Sequence, residues 1–238
     1  MSADDPLWEQ RVTVATACRI LGRRGLVDGV LGHVSARVDD DHLLVRCRGR
    51  DERGVARTEP QDVRLVDLAG RPAEASDGWD VPKELPIHTR LLAARPEVGA
   101  VVHAHPPAAL LCGLAELELR PVFGAYNIPA MRLATEGVPV FGRPVLLARD
   151  ELADEMVATM GDHPVCLLRG HGITVAGASV EQATVTAVNL EELCRVTVEL
   201  ARLGARPPVV SPADRDELPD LGDAFNATLA WRALVAEL

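Results

Sequence analysis

The stretch VGAVVHAHPP, residues 98–107, is the part of the chain whose reading decides the fold. Its valines give it strand character, and in an extended strand residues i and i+2 point to the same face. His103 and His105 therefore present two imidazoles side by side, and Pro106 and Pro107 end the strand directly after them. Imidazole nitrogen is a good ligand for zinc and other first-row divalent ions, and an open three-histidine site is a recognised catalytic arrangement. A bare His-x-His also occurs as two ordinary half-buried histidines, so the metal reading needs further ligands from elsewhere in the chain.

Upstream, residues 84–94 have helical spacing through Leu85, His88 and Leu92, with the start marked by Asp80 and Pro82. Glu84 stands at the front of this helix, a place the helix dipole also favours for a purely structural glutamate. Downstream, PVCLLRGHGITVAG (164–177) reads as a strand, a glycine-bounded turn and a second strand. His171 sits in that turn, and Gly170 and Gly172 let the backbone bend sharply and leave room around its ring. A further helix follows, with Ser179 and Gln182 as a capping box and a stripe through Ala183, Ala187, Leu190, Cys194 and Ala201. Gly204 and the Pro207-Pro208 pair stop it. Before the first strand cluster, residues 8–24 read as an amphipathic helix through Val14, Ala17, Cys18 and Leu21. Strand-like runs occupy 31–38, 42–47 and 62–68. The order helix, strands, helix, strands, helix predicts an α/β sandwich around a mostly antiparallel sheet.

With 238 residues, 47% of them apolar, the expectation is one domain over 1–238. Residues 207–238 read as a C-terminal arm, with Phe225 and Trp231 as its apolar contacts. The 35 acidic and 25 basic residues give a net charge of -10, which opposes a nucleic-acid partner. The first thirty residues show no uninterrupted apolar core of the secretory kind, and no run reaches the roughly 18 apolar residues of a membrane helix. Five cysteines without C-x-x-C spacing point to a reducing, cytoplasmic setting, and the lack of a long apolar run points to no membrane partner.

Taken in order, GHVSARV near residue 32, Glu84, RPEVGAVVHAHPP and His171-Gly172 resemble the motifs of the class II aldolase/adducin family, over about residues 8–205. The resemblance implies a three-layer α/β/α sandwich, a homo-oligomer that is usually a tetramer, and a site between neighbouring subunits. It implies one divalent metal per chain held by His103, His105 and His171, with Glu84 as the acid/base and as a possible ligand when substrate is absent. Zinc is the first candidate, and three imidazoles also accept manganese, iron or cobalt. In that family the metal stabilises an enolate-like intermediate while carbon–carbon bonds are made or broken.

The family's sugar-phosphate aldolases use an asparagine in the early motif and a Ser-Ser pair before the glutamate. Here those places hold His33, and Pro82 with Lys83. Proline offers no N–H and two hydroxyl donors are gone, so a phosphorylated substrate is disfavoured. Lys83, His33 and the turn RCRGRDERG, with Arg46, Arg48, Arg50 and Arg53, suit a small carboxylate substrate instead. Ser35, Arg48, His33 and Lys83 are the substrate-binding candidates, and Tyr126, the chain's one tyrosine, is a second proton donor. The pattern, including FGAYNIPAMRLA, looks most like the family's decarboxylases of hydroxylated aromatic acids of the dihydroxyphthalate type. An aldolase, epimerase or dehydratase acting on a sugar phosphate or oxo-acid would share the same ligands. The non-enzymatic adducin branch lacks the full ligand set.

Overall fold

Alternating residues along the central strands feed two cores, one on each face of a sheet. The computed structural model describes residues 5–74, 78–222 and 224–238. In chain order they form α1 (Trp8–Arg23), β1 (His33–Arg37), β2 (His42–Arg46), β3 (Val63–Asp67), α2 (Leu85–Ala94), β4 (Ala100–Ala104) and α3 (Pro107–Leu114). Then come α4 (Ile128–Leu133), β5 (Val140–Phe141), α5 (Asp150–Met160), β6 (Val165–Leu168), β7 (Gly172–Gly177), α6 (Val180–Arg202), α7 (Pro212–Asp216) and α8 (Trp231–Val235). The seven strands lie in the order β3-β2-β1-β4-β7-β6-β5. All neighbours are antiparallel except β5 with β6.

Ala100, Val102 and Ala104 of β4 point into a core shared with Val34 and Leu44 of the sheet, Val14 and Leu21 of α1, and Ala187 and Leu190 of α6. Val101, one residue out of step, joins the opposite core with Leu43 and Val45, Ile87 and Leu91 of α2, and Met156 of α5. Helices thus cover both faces, which is the three-layer sandwich. His103 and His105 share the parity of Val101, so they face the α2 layer at the end of that strand.

Local chemistry sets the element ends. Ser179 accepts a hydrogen bond from the Gln182 N–H at 3.2 Å, and the Gln182 side-chain oxygen accepts from the Ala178 N–H at 2.6 Å, which caps α6. Pro107 both closes β4 and opens α3, because its missing N–H is not needed in a first helical turn. In the C-terminal arm, Leu234 packs with Ile20 and Val185 and Trp231 is partly buried beside them, while Phe225 is exposed. Among the described residues no helix is long and apolar enough to cross a membrane.

Candidate metal centre

Three backbone segments deliver the site. β4 brings His103 and His105 to its end, the turn before β7 brings His171 and the N-terminus of α2 brings Glu84. Their ligand atoms all lie within 4.8 Å of one another. His103 Nε2 is 3.0 Å from His105 Nε2 and 3.4 Å from Glu84 Oε2, and His171 Nε2 is also 3.4 Å from Glu84 Oε2. The three imidazoles stand 4.9 Å apart, centre to centre, each steeply inclined to the others.

Hydrogen bonds behind the ligands fix their direction. His103 Nδ1 lies 3.0 Å from the Ile173 carbonyl, which can only accept, so the proton sits on Nδ1 and Nε2 turns a lone pair to the cluster. Glu84 Oε1 accepts from the Leu147 N–H at 2.9 Å, leaving Oε2 to face the histidines. The turn carrying His171 needs both of its glycines. Gly170 has φ +64°, and a Cβ on Gly172 would lie 2.2 Å from the Ala104 carbonyl oxygen and 2.8 Å from His105 Cδ2.

Electrostatics match a cation receptor. Burial raises the Glu84 carboxyl, but the neighbouring His103 and His171 outweigh it and hold the group well below the usual carboxylate range. Burial lowers His103 against the opposing pull of Glu84, and it lowers His105 to about 4. Ring nitrogens of His103 and His105, both pushed toward the neutral form, converge with His171 beside an ionised carboxylate in a donor set that fits a divalent metal.

The other candidates are placed differently. His33 on β1 is paired in register with His103, their rings 5.0 Å apart, so it flanks the ligands. Ser35 is fully buried and its hydroxyl lies 2.6 Å from His88 Nδ1, so it meets the site only through other side chains. Lys83 is exposed one residue before Glu84. Arg48 spends a guanidinium N–H on the Val30 carbonyl at 3.2 Å, Arg46 is tied to Glu52, and Arg53 pairs with Glu59 at 2.9 Å. The arginine turn is thus largely engaged with its own neighbours instead of converging on the cluster. Tyr126 is 66% exposed and its hydroxyl donates to Glu192 of α6, so within one chain it is not joined to the histidines.

His88 is the residue that sequence reading treats as an apolar helix position and the structure places in the site's wall. It is completely buried, its Nε2 lies 2.6 Å from His33 Nδ1, and burial pushes its pKa down to about 3. The available signal is its spacing: four residues after Glu84, it lies on the same helix face.

The chain belongs to the class II aldolase and adducin N-terminal domain family, which matches residues 12–198. Within that class it is 50% identical over 231 residues to the 3,4-dihydroxyphthalate decarboxylase of Arthrobacter keyseri, covering 96% of this chain and 93% of that one. The enzyme of the same name from Rhodococcus jostii (strain RHA1) is 48% identical over 229 residues, covering 95% and 94%. An aldolase II superfamily protein from Pseudomonas syringae shares the fold, with a TM-score of 0.82 at 23% identity over 100% of this chain and 94% of that one.

Proposed function

We propose that this chain is a divalent-metal-dependent lyase that removes carbon dioxide from a hydroxylated aromatic acid of the 3,4-dihydroxyphthalate type. The observation that carries the reading is the convergence of Glu84, His103, His105 and His171 in a chain 50% identical, end to end, to a decarboxylase of that name. His103, His105 and His171 would hold the metal, with zinc the first choice. When bound, that ion supplies Lewis-acid stabilisation for negative charge developing on a substrate oxygen.

The chain's own residues move the proton. Glu84 Oε2, ionised and in contact with His103 and His171, accepts a proton from a substrate hydroxyl. The carbon–carbon bond then breaks, its electron pair stays on the ring carbon, carbon dioxide leaves, and Glu84 returns the proton to that carbon. The hydroxyl proton thus ends on the ring carbon, and one proton from solvent restores the hydroxyl, so atoms and charge balance with no oxidant. Lys83, exposed beside Glu84, supplies a positive charge for the substrate's carboxylates as they approach.

The same proposal includes a cytoplasmic homotetramer with the site at a subunit boundary, each chain acting as one domain with residues 207–238 as an arm. In its support, Tyr126 is exposed at 66%, and Leu111 and Leu114 of α3, the helix that follows His105, are exposed at 42% and 56%. Such a surface suits a second copy, which would receive Tyr126 as a proton donor. The test is to incubate zinc-loaded protein with 3,4-dihydroxyphthalate and, separately, with sugar phosphates. The expected result is one carbon dioxide per aromatic acid consumed and no aldehyde from the sugar phosphates. Aldehyde release without decarboxylation would overturn the assignment. A fully active monomer in light scattering would remove the shared site.

A further inference from the structure

Behind the metal ligands runs a second line of polar groups that they do not use. Ser35 Oγ lies 2.6 Å from His88 Nδ1, and His88 Nε2 lies 2.6 Å from His33 Nδ1. Ser35 and His88 are completely buried, and among the described residues neither side chain has another hydrogen-bond partner. His33 retains 5% exposure, and its Nε2, without a partner among the described residues, is not among their sealed polar atoms.

The direction of this chain follows from counting protons. If the Ser35 hydroxyl donates to His88 Nδ1, then His88 donates from Nε2 to His33 Nδ1, and the proton of His33 must sit on Nε2. Every buried N–H and O–H then has an acceptor, and only spare lone pairs on Ser35 are left over. In the opposite direction His33 donates to His88 and His88 donates to Ser35, which strands the serine proton in a dry interior. A buried donor without an acceptor is the costlier defect, so the first direction wins. The His33 ring stands 5.0 Å from His103, yet His33 is not part of the converging ligand set, so its Nε2–H is left beside the ligands for a bound molecule.

We propose that Ser35 and His88 are positioning residues that hold His33 as a hydrogen-bond donor, and that its Nε2–H binds a carboxylate of the substrate beside the metal ligands. The identity of that anion as an aromatic carboxylate rests on the decarboxylase reading, whereas the direction of the relay does not. Serine on a strand thus sets the chemistry of an imidazole it never touches.

The experiment uses zinc-loaded full-length protein and two probes that do not react, phthalate, which carries carboxylates, and catechol, which carries only hydroxyls. Titration calorimetry on Ser35→Asp, whose carboxylate can only accept from His88 Nδ1 and so reverses the relay, and on His88→Phe should show phthalate bound at least about tenfold more weakly, as expected when one charge-assisted hydrogen bond is lost, with catechol affinity and zinc content kept. His88→Gln, whose amide can donate to His33 Nδ1, should recover most of the phthalate affinity. Nitrogen-15 shifts of labelled histidine should report the Nε2–H tautomer for His33 in the wild type and in Ser35→Ala, which leaves only a spare lone pair on His88 Nδ1, and the Nδ1–H tautomer in Ser35→Asp. Wild-type protein that fails to bind phthalate, equal loss of both probes, or wild-type His33 in the Nδ1–H form would each overturn the proposal. If the wild type releases no carbon dioxide from 3,4-dihydroxyphthalate while the probe contrast and the tautomer hold, the substrate assignment falls and the relay stands as an anion site.

Discussion

Replacing Gly172 with alanine tests whether the metal centre depends on the close approach of two backbones. The added methyl would sit 2.2 Å from the Ala104 carbonyl oxygen and 2.8 Å from His105 Cδ2. Ordinary contacts need roughly 1 Å more, and neither neighbour can yield cheaply. Ala104 is in a central strand paired on both sides, and moving His105 takes a ligand out of line. Overpacking of this kind costs on the order of 1–3 kcal/mol of stability. Displacing one imidazole should cost about 10- to 100-fold in metal affinity, the range seen when a ligand's support is lost. Competition with a chelator gives the affinity and denaturant unfolding the stability, with Gly142→Ala as the control, since a methyl there meets nothing within 4 Å. Wild-type zinc affinity and stability in Gly172→Ala would refute the reasoning.

His103→Ala, His105→Ala and His171→Ala should each stay folded and lose most of one bound metal per chain by elemental analysis, and full occupancy in any two of them would remove the triad. Glu84→Gln should bind metal nearly as well as wild type yet lose about 10²-fold or more in turnover, as expected for a positioned acid/base, and wild-type turnover would pass the proton role to Tyr126. Glu191 of α6 accepts the Ala108 and Ala109 N–H groups at the start of α3, and burial raises its carboxyl above the usual value. The folded state then holds this proton more tightly than the unfolded chain, so the stability it contributes is present at low pH and declines as pH rises through the raised value. Unfolding curves of wild type and Glu191→Gln should show the wild type losing ground relative to the variant as pH rises above the ordinary glutamate range; a constant difference, or one moving the other way, would contradict the shift.

Much of the fold is written in short-range pattern. Val101 and Val102 point to opposite cores, and the capped helix at Ser179 begins where its hydroxyl predicts. What pattern misses are elements without a clean period, such as α3, whose PAALLCGL is apolar around nearly its whole circumference, and α4, only six residues long. At the site, i, i+2 geometry puts His103 and His105 together, but nothing local brings His171 to within reach of Glu84. That proximity is created by β7 pairing with β4 and by α2 crossing the same face. The arginine turn shows the reverse error, since Arg46 and Arg53 look available in sequence and are occupied by Glu52 and Glu59 in space. His88 was hidden because a buried histidine and a buried leucine have the same period.

The pairing of β1, β4 and β7 carries a consequence for how the protein comes to be folded at all. His33 lies opposite His103, and His103 lies opposite Thr174, three residues beyond His171, so the ligands converge in this alignment alone. A slip of one residue in β4 would turn His103, and His105 just beyond it, toward the core beside α6 and bring Ala100, Val102 and Ala104 to the α2 face. An ion that binds the converged set therefore discriminates against every misaligned sheet, and by mass action it adds stability in proportion to the logarithm of its concentration over its dissociation constant. The metal would then act as a proofreader of strand alignment before it acts as a catalyst, and chelation during refolding should yield misaligned, slowly recovering chains where chelation of the finished fold yields only inactive ones.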